Sequence, residues 1–198
     1  MPADPVPSPA PAPFPLIRTE EPPDETAVRR LVTEAFGDDH AARLVDLLRR
    51  SPGHLPELAL VAVDGDGGGG LLGHVMLTVV DLVTEPGEAV PVLCLSPLSV
   101  APPAQRRGIG SALVRNALAR ADERGWPLVT VEGNPALYQR YGFTVSTALG
   151  IERPSELIPQ QGFMCLPLRG YDPALRGRID YPEPFWAVGA VGPSGAGS

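Results

Sequence analysis

Apolar positions recur in two rhythms along the chain. After Asp24, residues Val28, Leu31, Val32, Ala35 and Phe36 keep the i, i+3, i+4, i+7, i+8 spacing of one helix face. Asp24 stands where an N-cap belongs, its charge suits the positive end of the helix dipole, and Gly37 marks the end. Ala41, Leu44, Leu47 and Leu48 line a second helix, which Ser51, Pro52 and Gly53 close. The rhythm then changes to runs dense in Val and Leu. These predict strands over residues 58–64, 71–84 and 91–100, the first two joined through the glycine loop 65–70. Leu113, Ala117 and Ala121 mark the inner face of a helix over 108–124, with Gly125 after it. A strand over 128–132, a short helix over 136–141 and strands over 143–147 and 163–168 follow, and residues 14–18 supply an opening strand. The order β-α-α-β-β-β-α-β-α-β-β predicts one α+β domain over residues 14–186, a mixed sheet with helices on both faces.

Composition adjusts this picture at the ends. Seven prolines between positions 2 and 15 predict a disordered Pro-rich tail over residues 1–13, and the Gly/Ser-rich end predicts a flexible tail over 187–198. Among 198 residues, 16 basic and 23 acidic side chains leave a net charge of −7, which argues against nucleic-acid binding by phosphate neutralisation. Every basic residue is Arg, so a lysine nucleophile or Schiff base is excluded. No apolar run reaches the roughly 20 residues of a membrane helix. The first 15 residues lack a signal peptide's basic and apolar regions. A cytoplasmic chain without a membrane partner is expected. Cys94 and Cys165 fall in strand-like apolar runs and are expected as buried free thiols. His40, His54 and His74 show no metal-ligand spacing, so no metal is expected.

The most informative stretch runs from Val100 to Leu113. A strand ends at Val100, a tight loop carries Gln105, Arg106 and Arg107, and a helix opens at Gly108-Ile109-Gly110. Two glycines let the backbone approach a ligand and turn successive N–H groups outward. The helix start adds unpaired donors and the positive end of its dipole. Together these predict a pyrophosphate cradle in an otherwise acidic chain. A P-loop would need Gly-Lys-Ser/Thr, and a dinucleotide fingerprint would need glycine where Leu113 stands, so both are excluded.

Gln105-x-x-Gly108-x-Gly110 after a strand ending Leu98-Ser99-Val100 resembles the acetyl-CoA-binding motif of the GNAT superfamily of N-acetyltransferases. Asn134-Pro135-Ala136-Leu137-Tyr138-Gln139-Arg140-Tyr141-Gly142-Phe143 is similar to that family's Leu-Tyr-x-x-x-Gly-Phe segment. The Gly133-Asn134-Pro135 segment and the later segment 163–168 are similar to those of a bacterial subgroup of YhbS type. The resemblance implies the GNAT fold, with a splayed central sheet, and acetyl-CoA as cosubstrate. It further implies transfer of the acetyl group to a primary amine by direct attack in a ternary complex. The acceptor would be a small molecule or a peptide, and a homodimer is compatible with the family.

Residue by residue, the resemblance implies that Arg106, Arg107, Gly108, Gly110 and Ser111 hold the pyrophosphate, with Gln105 in the motif and Ile109 giving backbone and packing. The backbone of Leu98, Ser99 and Val100 would meet the pantetheine arm, and Asn134 would lie near it. Pro97 cannot donate to a ladder, an independent reason to expect a bulge or unpaired edge there. Tyr138 is implied as the general acid for the departing thiolate, with Tyr141 the fallback. The base stays open among Glu132, Glu34, Ser96, Ser99, His74 and a water chain; Val129 stands where some relatives carry glutamate. Cys94 reads as core. The alternative function is a catalytically silent acyl-CoA-binding module on the same fold.

Overall fold

The computed structural model describes residues 15–65, 70–85 and 87–192. The expected Pro-rich leader, most of the glycine loop and the last six residues lie outside these. Among the described residues, nine strands build one sheet. In chain order they are β1 (Leu16–Thr19), β2 (His54–Val63), β3 (Leu71–Val83), β4 (Ala89–Val100), β5 (Leu128–Glu132), β6 (Thr144–Val145), β7 (Ile151–Glu152), β8 (Phe163–Pro167) and β9 (Gly177–Asp180). The main path runs β1-β2-β3-β4-β5-β8-β6, and β9 pairs with the far end of β3 and with β7. All pairings on the main path are antiparallel except β4–β5.

Helices α1 (Glu25–Phe36), α2 (His40–Arg49) and α5 (Glu183–Ala187) belong to one face, and α3 (Ile109–Glu123) covers the other; α4 (Pro135–Tyr138) follows β5. Strand alternation separates the two cores. Met76, Val80, Val92, Cys94 and Phe163 pack with α1 and α2, whereas Val75, Leu77, Leu93, Val129 and Val131 pack with α3, Tyr138 and Phe143. Cys94 and Cys165 are free and buried, as their apolar surroundings suggested.

Three readings of the sequence need correction. Asp24 precedes α1 but does not cap it with its side chain; its carboxylate accepts from the Glu21 N–H and from Arg18. The chain after residue 147 carries β7, β9 and α5, elements of two to five residues, too short to leave a periodic signal. Within the expected tail, residues 188, 190 and 191 pack onto the domain. Val191 is buried against the α1/α2-side core, with Val188 and Ala190 beside it.

Candidate active site

The site forms where β4 parts from β5. The two strands pair only at Leu93–Val129 and Cys94–Thr130. In the ladder with β3, Leu95 pairs with Leu77 and Leu98 with Val75, so Ser96 and Pro97 together face Met76. That is a bulge at the proline, as its missing N–H required. Beyond it β4 keeps β3 but has no partner in β5. The Ala101 N–H donates to Leu72 O, so strand alternation turns the N–H groups of Leu98 and Val100 away from β3 towards the gap. The Val100 carbonyl accepts from Gln105 Nε2 at 3.2 Å, which fixes the loop to the strand end.

The loop then makes the cradle. Arg106 (φ +59°) and Gly108 (φ +84°) are both left-handed, a sequence of turns that gathers N–H groups on one side. The first intrahelical bond of α3 is Ala112 N–H to Gly108 O, so the N–H groups of residues 109–111 precede the helix ladder. Gly110 faces the cleft and a Cβ there would come within 3.4 Å of Val100.

A cleft of about 200 Å³ joins this cradle to Tyr138. Of the residues expected at the site, Leu98, Val100, Gln105, Arg106, Gly108, Ile109, Gly110, Ser111 and Tyr138 line it. Three do not. Arg107 is exposed outside the lining. The Asn134 side chain caps α4 by accepting from the Ala136 N–H. Ser99 points to the opposite face of the sheet and is 2% exposed. The cleft also takes in Leu137, Arg140 and Tyr141. Leu137 and Arg140 lay inside the quoted motif, but nothing in their spacing marked them as lining. Tyr141 donates to Ser111 Oγ at 2.9 Å, which ties this segment to the cradle and commits the hydroxyl that had been the fallback acid.

Tyr138 is 8% exposed, its ring edge-on to Phe143. Burial lifts its phenol to about 12, so it carries its proton throughout the neutral range. Gly133 makes room for the ring: a Cβ there would sit 2.7 Å from Tyr138 Cε2. Gly133→Ala should therefore displace Tyr138. The expected result is a fall in kcat of about tenfold, since a misplaced catalytic group loses rate steeply, with coenzyme Kd within about twofold. Steady-state kinetics with a binding titration check it.

Glu132 ends β5 on the α1/α2 side. Burial raises its carboxyl to about 7, partly offset by the Gly192 N–H that it accepts. A carboxyl raised in the folded state stabilises the fold fully below about pH 4.5, and that contribution disappears as pH rises through about 7. Glu132→Gln should thus raise Tm at pH 8, by about 2–4 °C after allowing for solvent screening, and leave it nearly unchanged at pH 4.5. Thermal melts at the two pH values check this. Glu34 is exposed on α1, and Val129 is buried in the α3-side core. Cys94 is pushed up to about 11 by burial and donates to Tyr181 Oη, which leaves it no thiolate at neutral pH.

A family profile described as "Acetyltransferase (GNAT) domain" matches residues 17–146. The chain belongs to the GNAT acetyltransferase family. Within it the chain is of YhbS type. It is 35% identical over 131 residues to the uncharacterized N-acetyltransferase YhbS of Escherichia coli K12, which is 66% of this chain and 74% of that protein. The crystal structure of E. coli YhbS in complex with CoA superposes with a TM-score of 0.79 at 29% identity, covering 90% of this chain and 95% of that one. A GNAT acetyltransferase from Brucella melitensis in complex with acetyl-CoA gives a TM-score of 0.69 at 27% identity, over 86% of this chain and 97% of that one. The fold is thus that of the GNAT acetyltransferases. Among the described residues, no helix is long and apolar enough to cross a membrane, and no group of three or more His, Cys, Asp or Glu could hold a metal.

Proposed function

We propose that the protein transfers an acetyl group from acetyl-CoA to a primary amine by direct attack in a ternary complex. One observation carries the reading: a single narrow cleft runs from an amide-lined cradle, along the free edge of β4, to the buried phenol of Tyr138. The coenzyme fits these residues. N–H groups of 109–111, with Arg106 and Arg140 at the rim, suit a diphosphate. The N–H groups of Leu98 and Val100 suit the amides of a pantetheine arm, and Leu98, Val100 and Leu137 give it apolar walls. The CoA and acetyl-CoA complexes of the two relatives support the choice of donor.

The bound coenzyme would supply a thioester as acyl donor. The remaining work falls to the chain. A free β4 N–H polarises the acyl oxygen and holds the charge that develops there. Tyr138 holds a proton for the departing sulfur. An ordinary thiol ionises near 8.5, well below this phenol, but the burial that lifts the phenol also makes a thiolate in the same cleft more basic. Ser111, bonded to Tyr141, keeps the cradle and the α4 segment in register.

The test is thiol release from acetyl-CoA across a panel of primary amines: alkylamines, aminoglycosides and peptide N-termini. Amine-dependent release that tracks N-acetyl product supports the reading. Coenzyme binding without turnover of any panel member would instead identify a silent acyl-CoA-binding module.

A further inference from the structure

Charge is unevenly placed around the coenzyme cleft. The chain is acidic overall, at −7, yet no described carboxylate lines the cleft, whereas Arg106 and Arg140 do. Arg107 lies beside them in the loop. Arg115 follows Ser111 by four positions, one turn along the same face of α3. Among the described residues, none of these four guanidiniums joins an ion pair. Uncompensated cations gathered at one mouth focus a positive field there.

A diphosphate does not use all of this charge. It carries one charge per phosphate, and the cradle answers it with the N–H groups of residues 109–111, the positive end of α3 and Arg106. Two further guanidiniums are set about one ring. Arg115 Cζ and Arg140 Cζ each lie 5.8 Å from the centre of Tyr141. A contact of this cation–π kind steadies a guanidinium without neutralising it. The ring is itself tied to the cradle, because Tyr141 Oη donates to Ser111 Oγ at 2.9 Å. Arg140 Nε donates to Leu137 O at 3.0 Å, which leaves both of its Nη groups for a ligand. Both arginines are exposed, so an anion meets them without disturbing the core. Two like charges held at one ring repel each other until an anion joins them.

The direction of the cleft says which anion. It runs from Tyr138, where the thioester reacts, to the cradle. Beyond the diphosphate comes the adenosine of the coenzyme, whose ribose carries a phosphomonoester on its 3′ oxygen. Such a group is close to dianionic at neutral pH and offers three acceptor oxygens, which two guanidinium forks match.

We propose that Arg115 and Arg140, set about the Tyr141 ring, bind the 3′-phosphate of the coenzyme and so select CoA over donors that lack it; this rests on the acetyl-CoA reading above. Arg140 stands between the diphosphate and the 3′-phosphate and serves both. Arg115 serves the 3′-phosphate alone.

The test is calorimetric titration of the full chain with CoA and with 3′-dephospho-CoA, which differ only in this phosphate. The wild type should bind CoA about 30-fold more tightly. Arg115→Ala should cut that ratio about fivefold and leave the Kd for dephospho-CoA within about twofold. Arg140→Ala should cut the ratio by a similar factor and also weaken dephospho-CoA. The double variant should bind the two ligands almost equally. Arg43→Ala removes the same charge from exposed α2 on the other face of the sheet and should leave the ratio unchanged. Equal affinity of the wild type for the two ligands overturns the proposal, and so does a ratio that survives the double variant. In either case, binding of dephospho-CoA leaves the coenzyme reading standing. Failure of both ligands to bind removes that reading and the proposal with it.

Discussion

Tyr138→Phe is expected to lower kcat for acetyl transfer about 10²–10³-fold while moving the Kd for acetyl-CoA by less than about twofold. The ring would stay. It packs edge-on to Phe143 over the space that Gly133 leaves, and neither contact uses the hydroxyl. What is lost is one proton, held on a phenol that burial keeps protonated at neutral pH. Without it the sulfur must leave as a bare anion in a cleft with few donors. The loss should grow for a donor whose thiol is more basic and shrink for one whose thiol is more acidic. Tyr141 cannot stand in, because its hydroxyl is bonded to Ser111. Stopped-time thiol release and a binding titration on the same preparation separate the two effects. Equal losses in kcat and affinity would move Tyr138 from acid to wall.

The second large effect is expected at Gly110. It lies in the first turn of α3 with its Cα towards the cleft, where an added Cβ would meet Val100 at 3.4 Å and Leu98 at 3.9 Å. A small side chain is nearly tolerated, but Gly110→Phe would fill the floor between cradle and β4. Acetyl-CoA affinity should fall about 10²-fold, close to 2.7 kcal/mol. The fold should hold, because Gly110 has no positive φ and the ring would enter the cleft rather than the core. Gly108→Ala makes the contrast. There is open space around Gly108, but its φ of +84° strains any L side chain by about 1–2 kcal/mol, so stability falls along with binding. Calorimetric titration and thermal melts on both variants separate a blocked cleft from a distorted cradle.

How far these features could be read from the chain follows from their physics. The long elements were legible because each buries one face, and burial writes a period into the sequence. Pro97 announced the bulge because a residue without an N–H has few places in a ladder. The cradle was legible because glycines, arginines and a helix start fall together. Other features are products of three-dimensional neighbourhood and leave no local trace. Arg140 and Leu137 meet the cleft only once the segment after β5 is folded against the cradle, and Asn134 is spent on capping its own helix. Nothing in the sequence marks Gly133; its role rests on the Tyr138 ring that packs against it. The segment 188–192, Gly-rich and unpatterned, is packed because Val191 finds the core, which composition alone does not reveal.

The most direct test is a calorimetric comparison of acetyl-CoA with S-acetylpantetheine, which keeps the thioester and arm but lacks the diphosphate and nucleotide. If residues 105–111 grip a diphosphate, acetyl-CoA should bind at least about 10²-fold more tightly, and Gly110→Phe and Arg106→Glu should erase much of that difference. Equal affinity for the two ligands, unaffected by either substitution, would contradict the account at its root.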